Sequence, residues 1–241
     1  MNPTDLTPLI KSLKEVPFQE FPKIPRLSRE CTITEKLDGT NAQILIEEPL
    51  PGVFAVCFGS RSRWLSPLGK NDNHGFAAWG FAHLPELTAG LGVGRHYGEW
   101  WGQGIQRGYG MKEKRFSLFN TGRWAEHDTI LSADDKRKHA PKCCGVVPVI
   151  YEGIFDTAAV EAALDGMRRC GSYAAPGFMR PEGVVVYHHA LNGYFKKTLE
   201  KDSPKTVVFD EIHDCGALDF GKLATGSKDG LVVPRGTVVL S

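Results

Sequence analysis

The chain has almost no excess charge. Across 241 residues, 29 lysines and arginines are set against 28 aspartates and glutamates, for a formal net charge of +1. Holding nucleic acid through bulk positive charge is thereby excluded, and any phosphate-binding surface has to be a local patch. Paired-cysteine spacing is missing too. The six cysteines (Cys31, Cys57, Cys143, Cys144, Cys170 and Cys215) form no Cys-x-x-Cys, and two of them are adjacent. That pattern fits neither a zinc framework nor the disulfide framework of a small secreted domain, and it points to a reducing, cytoplasmic setting. No apolar run approaches the roughly 18 residues of a membrane helix. The N-terminus shows no basic stretch followed by an apolar core, so no secretory leader is expected. Internal repeats and low-complexity segments are also absent.

What is present is an ordinary globular composition, 41% hydrophobic and 24% charged. The length suits one large domain or two small ones. The 27 glycines and 15 prolines imply many turns and short strands. Residues 17–30 hold Pro17, Pro22 and Pro25 and read as extended backbone. Alternation predicts strands over 31–35 and 42–47 around an Asp38-Gly39 turn, then over 53–58, 95–101 and 115–120. A short helix is expected over 76–83. Residues 132–144 are charged and loop-like, and 146–151 is apolar and β-branched, the mark of a buried strand. The clearest helix comes next. Asp156 or Thr157 can cap its start, Val160, Ala163, Leu164 and Met167 form its apolar face, Arg168 and Arg169 complement its dipole, and Gly171 ends it. Strands are expected again over 183–187 and 194–198. Residues 222–229 read as a loop and 231–240 as one more strand. Strands outnumber helices and do not alternate with them, so the fold class is α+β with antiparallel sheets. No strong linker divides residues 1–241, which are read as one domain.

The most telling segment is Glu35-Lys36-Leu37-Asp38-Gly39-Thr40-Asn41. Taken alone, Lys-x-Asp-Gly also describes a hairpin corner with an exposed lysine, because Asp-Gly is a turn dipeptide. Five more segments follow in order: Phe58-Gly59-Ser60-Arg61-Ser62-Arg63-Trp64; the run from Tyr97-Gly98-Glu99 to Gly104-Ile105-Gln106; Phe116-Ser117-Leu118-Phe119-Asn120; Pro181-Glu182-Gly183-Val184-Val185-Val186; and Tyr194-Phe195-Lys196-Lys197. Together they resemble the covalent nucleotidyltransferase superfamily of DNA ligases, RNA ligases and mRNA capping enzymes. The Gly-Glu-x-x-Gly-x-Gly-Ile-Gln run and the Lys-Ile-Pro-x-Leu lead-in from Lys23 to Leu27 are most similar to the RNA ligase 2-like branch. The likeness covers about 20–200, leaving 203–241 as a C-terminal extension.

The resemblance implies a role for each motif. Lys36 is the nucleophile that attacks the α-phosphate of ATP and carries AMP as a phosphoramide. Ammonium is not nucleophilic, so the lysine needs neighbours that release its proton. Asp38 orients the lysine or its metal–water network, and Gly39 permits a tight turn. Glu35 belongs to the nucleotide site. Glu99 accepts hydrogen bonds from the ribose hydroxyls. Arg61 contacts the ribose and the incoming 5′-phosphate end, with Arg63, two residues on along the same strand face, as its rival for nucleic acid. Phe119 stacks on the purine, with Phe116 as the alternative. Glu182 binds the metal, magnesium or manganese. Lys196 and Lys197 grip the α-phosphate. Here the chain departs from the family, which spaces these lysines by one residue. Adjacent residues point to opposite faces of a strand, so only one of the two is expected to do the chemistry, with Lys196 preferred.

An ATP-dependent RNA ligase is the expected activity, joining 5′-phosphate and 3′-hydroxyl ends of RNA, nicked duplexes included. End-adenylylating or capping-type chemistry, a DNA ligase and a non-catalytic nucleotide-binding module are the alternatives. The stretch before Lys36 is too short for the extra domain of NAD-dependent ligases, so ATP is expected. The stretch after Lys197 is too short for the C-terminal OB-fold of many relatives, so a partner protein for end binding is envisaged. His74, His188 and His189 read as solvated histidines. Trp64, Trp79, Trp100 and Trp101 divide between core packing and base stacking.

Overall fold

A computed structural model describes residues 17–66, 72–200, 206–208 and 237–239. Two sheets, each backed by helix, make up the fold. The first sheet has the order β11-β10-β1-β9, formed by Gly193–Thr198 (β11), Gly183–His188 (β10), Glu30–Lys36 (β1) and Val149–Ile154 (β9). All of its pairings are antiparallel. The second has the order β3-β2-β4-β5-β8, formed by Val53–Ser60 (β3), Thr40–Leu50 (β2), Gly94–Gly102 (β4), Lys114–Leu118 (β5) and Cys144–Val146 (β8). The α+β class is as expected, and the sheets are antiparallel except at one edge, where β5 and β8 run parallel. Trp124–Ala125 (β6) and Lys138–His139 (β7) form a small parallel ribbon. Thr206–Val208 (β12) and Thr237–Val239 (β13) pair antiparallel.

Side-chain alternation decides which face each sheet buries. Ala42, Ile44 and Ile46 of β2, Phe58 of β3, Trp100 of β4, and Phe116 and Leu118 of β5 pack against Phe76–Ala82 (α1) and Leu84–Leu91 (α2). In the first sheet, Cys31, Ile33, Val184 and Val186 pack against Val160, Ala163, Leu164 and Met167 of Thr157–Cys170 (α3). A third small cluster, Leu37, Trp101, Tyr109, Val147 and Ala175, lies at the junction of the sheets. The faces left free of helix carry Lys36, Glu99, Lys196 and Phe119.

Four local expectations are corrected. The Asp38-Gly39 segment is no hairpin corner, because β1 and β2 belong to different sheets and the segment crosses from one to the other. The single buried strand expected over 146–151 is two strands. Pro148, with no N–H to give a ladder, sits at the break: β8 ends in the second sheet and β9 begins in the first. The helix expected over 76–83 ends at Ala82 and a second follows at once, with Pro85 in its first turn, where a missing N–H costs nothing. The stretch 132–144, read as loop, holds β7 and the first residue of β8. The loop expected over 222–229 lies outside the described residues, and β13 falls within the strand expected over 231–240.

The α3 helix forms as read. The Asp156 carboxylate accepts the Ala158 N–H at 2.8 Å, Arg168 and Arg169 occupy the last turn, and Gly171 closes it with φ +79°. No described helix is long and apolar enough to cross a membrane. Asp156→Ala removes the cap of the only described helix behind the Lys36 sheet, and urea unfolding is expected to show a loss of about 1 kcal/mol.

Candidate active site

Lys36 is the last residue of β1, on the face away from α3, and its register partner on β10 is Gly183. Glu182, immediately before β10, therefore stands beside it. The Lys36 Nζ donates to Glu182 Oε2 at 2.7 Å, with both side chains about four-fifths covered. Glu35 points the other way. Its carboxylate is 1% exposed and accepts from Ser172 Oγ at 2.6 Å, Tyr173 N at 2.8 Å and Ala174 N at 2.9 Å. Burial raises its pKa, and those three donors oppose the rise. The Glu35 side chain is thus not brought to the Lys36 face. It ties down the loop between α3 and β10.

Glu99 comes from the other sheet. On β4 it is paired with Asn41 of β2 and Ser117 of β5. Its Oε1 accepts the Gly39 N–H and its Oε2 accepts Asn41 Nδ2, both at 3.1 Å. Burial pushes its pKa up from 4.5 to about 7, against the pull of Lys36 and of the Gly39 N–H. Gly39 is needed here for its lack of a side chain. A Cβ would collide with the Trp100 carbonyl and lie 2.7 Å from the Trp101 Cβ. The tight-turn role expected of it is replaced by this close approach.

Asp38 is held by residues that sequence reasoning missed. Its Oδ2 accepts from Arg107 Nε at 2.9 Å, and its backbone N–H donates to the Tyr109 hydroxyl at 2.8 Å. Arg107 also donates to both oxygens of Glu200, at 3.0 and 3.1 Å, and to the Arg180 carbonyl at 3.0 Å. One guanidinium thereby joins the motif, the β10 approach and the chain after β11. The signal is near at hand, since Arg107 directly follows the Gly-x-Gly-Ile-Gln run.

The paired alternatives separate cleanly. Lys196 faces Val185, which faces Thr34, so it shares the Lys36 face and is exposed. Lys197 lies opposite Val184 on the α3 face and pairs with Glu161 of that helix, so it is not brought to the Lys36 face. Phe116 is fully buried against Phe76 and Trp79, so it is core and offers no face to a purine. Phe119 is 37% exposed and in register with the Glu99 face. Arg61 and Arg63 do not share a strand face. Ser60 N–H donates to the Arg63 carbonyl at 2.9 Å, so both arginines sit on a tight exposed turn.

Of the three histidines, His74 and His189 are exposed as expected and His188 is not. His188 is 1% exposed and hydrogen-bonds the Leu27 carbonyl, a buried strand-end residue rather than a solvated one. His189 meets the Thr32 hydroxyl at 3.0 Å, and the His74 carbonyl accepts from Lys114 and Trp100. Of the tryptophans considered, Trp100 and Trp101 are core and Trp64 is 51% exposed. Among the described residues no three His, Cys, Asp or Glu side chains close on a metal ion. A cation here would need substrate oxygens to complete its shell, as magnesium commonly does. The hard oxygen donor that stands beside Lys36 is Glu182.

The protein-family model described as RNA ligase matches residues 29–201. No curated protein sequence matches the chain. Among solved structures it is similar to an apo variant of Naegleria gruberi RNA ligase (16% identity, TM-score 0.46), covering 80% of this chain and 52% of the other. It is also similar to a variant of that ligase with ATP and Mn (16% identity, TM-score 0.43), covering 71% and 50%. The chain spans about half the length of the solved ligases it matches.

The raised Glu99 pKa has a definite consequence for stability. The folded state holds a proton that the unfolded chain releases near pH 4.5, so the stability contributed by this group is full below that pH and is lost as pH rises toward 7. Glu99→Gln imitates the protonated form at every pH. Urea melts at pH 5 and pH 8 are expected to show a smaller drop for the variant than for the parent, by on the order of 2 kcal/mol.

Proposed function

The chain belongs to the RNA ligase family, and we propose that within it this protein is an ATP-dependent enzyme that joins RNA ends through a lysyl-AMP intermediate on Lys36. The observation that carries the proposal is the 2.7 Å pairing of Lys36 with Glu182, with Glu99 brought in from the facing sheet. Residues of about 20–200 form the nucleotidyltransferase core in this reading.

The reaction has three displacements at phosphorus. Lys36 first leaves Glu182 and gives its ammonium proton to solvent water. Its Nζ then bonds the α-phosphorus of ATP while the bond to the β-phosphate oxygen breaks and pyrophosphate departs. Next, an oxygen of an RNA 5′-phosphate attacks the same phosphorus, the P–N bond breaks, and the lysine regains a proton. Last, a 3′-hydroxyl attacks the activated 5′-phosphate, loses its proton, and AMP departs. Nothing in these steps needs a side chain to bond carbon, so positioning and charge dominate. Glu99 has lone pairs beyond those given to Gly39 and Asn41, and it orients the ribose hydroxyls with them. Phe119 supplies an exposed ring for the purine. Lys196, on the Lys36 face, meets the charge that builds on the α-phosphate. Glu182 and phosphate oxygens would hold magnesium or manganese, which when bound neutralises charge on the triphosphate.

The test is covalent labelling with α-³²P-ATP or α-³²P-GTP, followed by a denaturing gel. Label from ATP that disappears in Lys36→Ala is the expected outcome. Label retained by that variant would overturn the assignment, and label from GTP alone would make this a capping-type enzyme. The two adjacent lysines should diverge. Lys196→Ala is expected to slow labelling about a hundredfold, as loss of a transition-state donor does. Lys197→Ala, which loses only its contact with Glu161, is expected to label normally. Equal rates for the two would show that the strand face does not decide the role.

A further inference from the structure

Trp64 is exposed where Trp100, Trp101 and Trp124 are fully buried. It is nevertheless built onto the second sheet. The turn after β3 brings the chain back so that Trp64 bridges Gly59. A Cβ on Gly59 would lie 2.8 Å from Gln43 Cγ and 3.0 Å from the Trp64 ring. The missing side chain thus lets the indole lie over Gly59, on the face that carries Gln43.

The register extends this contact into a row. Gly59 is opposite Gln43, and Gln43 is opposite Tyr97. The Phe119 N–H donates to the Tyr97 carbonyl at 3.0 Å. Trp64, Gln43, Tyr97 and Phe119 therefore lie in order across one face, spanning about 20 Å at the usual strand spacing. The row holding Asn41, Glu99 and Ser117 is its immediate neighbour, about 7 Å along the strands. Tyr97 is 53% exposed and Trp64 51%. What sets these two rings apart from the other exposed aromatics is that they lie in one row with Phe119, and a contiguous apolar surface of this kind marks an interaction site.

Charge is concentrated in the same place. The Arg95 guanidinium lies 5.3 Å from the centre of the Trp64 ring and donates to Gln43 Oε1 at 2.5 Å. Arg61 and Arg63 are exposed on the adjoining turn. Among the described residues, no ion pair joins Arg61, Arg63 or Arg95 to a carboxylate. In a chain with a net charge of +1, three uncompensated arginines around two open rings make a local patch that suits phosphates and bases together.

We infer that Trp64 and Tyr97, flanked by Arg95, form a platform on which an unpaired base of the polynucleotide stacks, beside the purine site at Phe119. The inference rests on the ligase reading and narrows its substrate to a strand end whose nearby bases are single-stranded. A base inside a duplex already has both faces covered by its neighbours and cannot offer one to a side chain.

Fluorescence anisotropy with labelled, 5′-phosphorylated single-stranded RNA tests this, alongside an abasic strand of equal charge and a fully paired duplex. The parent protein is expected to bind the single strand more tightly than either. Trp64→Leu should weaken that binding about tenfold, in the range of one lost base–aromatic contact. Trp64→Phe, which keeps a π face, should restore most of it. Equal binding by Trp64→Leu, or equal binding of the abasic strand or the duplex by the parent, would overturn the platform. Labelling of Lys36 by ATP needs no polynucleotide and is read on the same preparations. Labelled protein without base-dependent binding overturns the platform alone. Base-dependent binding without label supports the platform and overturns the ligase reading.

Discussion

Everything at this site depends on how the Glu99 carboxylate is held. It is buried in the second sheet and accepts hydrogen bonds from Gly39 and Asn41, which lie where the chain arrives from the first. Burying a carboxyl group is costly unless donors meet it, and the donors here are the motif's own backbone and its flanking asparagine. The energy that holds Glu99 in place therefore also fixes the segment after Lys36. Arg107 does the same from the other side by gripping Asp38, so the crossover is anchored at consecutive residues, Asp38 by a guanidinium and Gly39 by a carboxyl group. The lysine at its head has little freedom beyond its own side chain.

Burial of the two helix-facing surfaces explains the division of labour between residues close together in the chain. At Glu35 and Lys36, at Lys196 and Lys197, and at Phe116 and Phe119, strand alternation sends one member toward a helix or a loop and the other toward the open face. The inward member does structural work in each case. Glu35 ties a loop, Lys197 joins α3 and Phe116 fills the core. The open faces are left with Lys36, Glu99, Lys196 and Phe119, drawn from four strands or strand ends of two sheets.

Much of this is legible in the amino-acid sequence, and the reasons are local. Ala42, Ile44 and Ile46 declare β2 by period, and α3 announces itself by Asp156, its apolar face and Gly171. That Lys196 and Lys197 face opposite ways follows from alternation, and the register with β10 and β1 says which of them shares the Lys36 face. Expectation and structure part where sequence carries no directional information. An apolar β-branched run such as 146–151 says that a strand is present and not that it changes sheets at Pro148. Asp-Gly reads as a turn whether it folds back or crosses over. Arg61 and Arg63 alternate on paper, but the small serines around them let the chain turn. Arg107 is marked only by following the Gly-x-Gly-Ile-Gln run, because its partners, Asp38 and Glu200, are distant in the chain and only the fold brings them together.

Among the described strands of the two sheets, the chain passes from one sheet to the other twice, between β1 and β2 and between β8 and β9. The two passages lie side by side, with the Glu35 N–H bonded to the Pro148 carbonyl at 2.9 Å. Together they act as the spine of an open book whose pages are the sheets. Whatever ties down one passage therefore ties down the other. The strand that ends in Lys36 is bonded, one residue before it, to the point at which the chain leaves the second sheet, so Lys36 stands at the seam of the two sheets rather than out on either page.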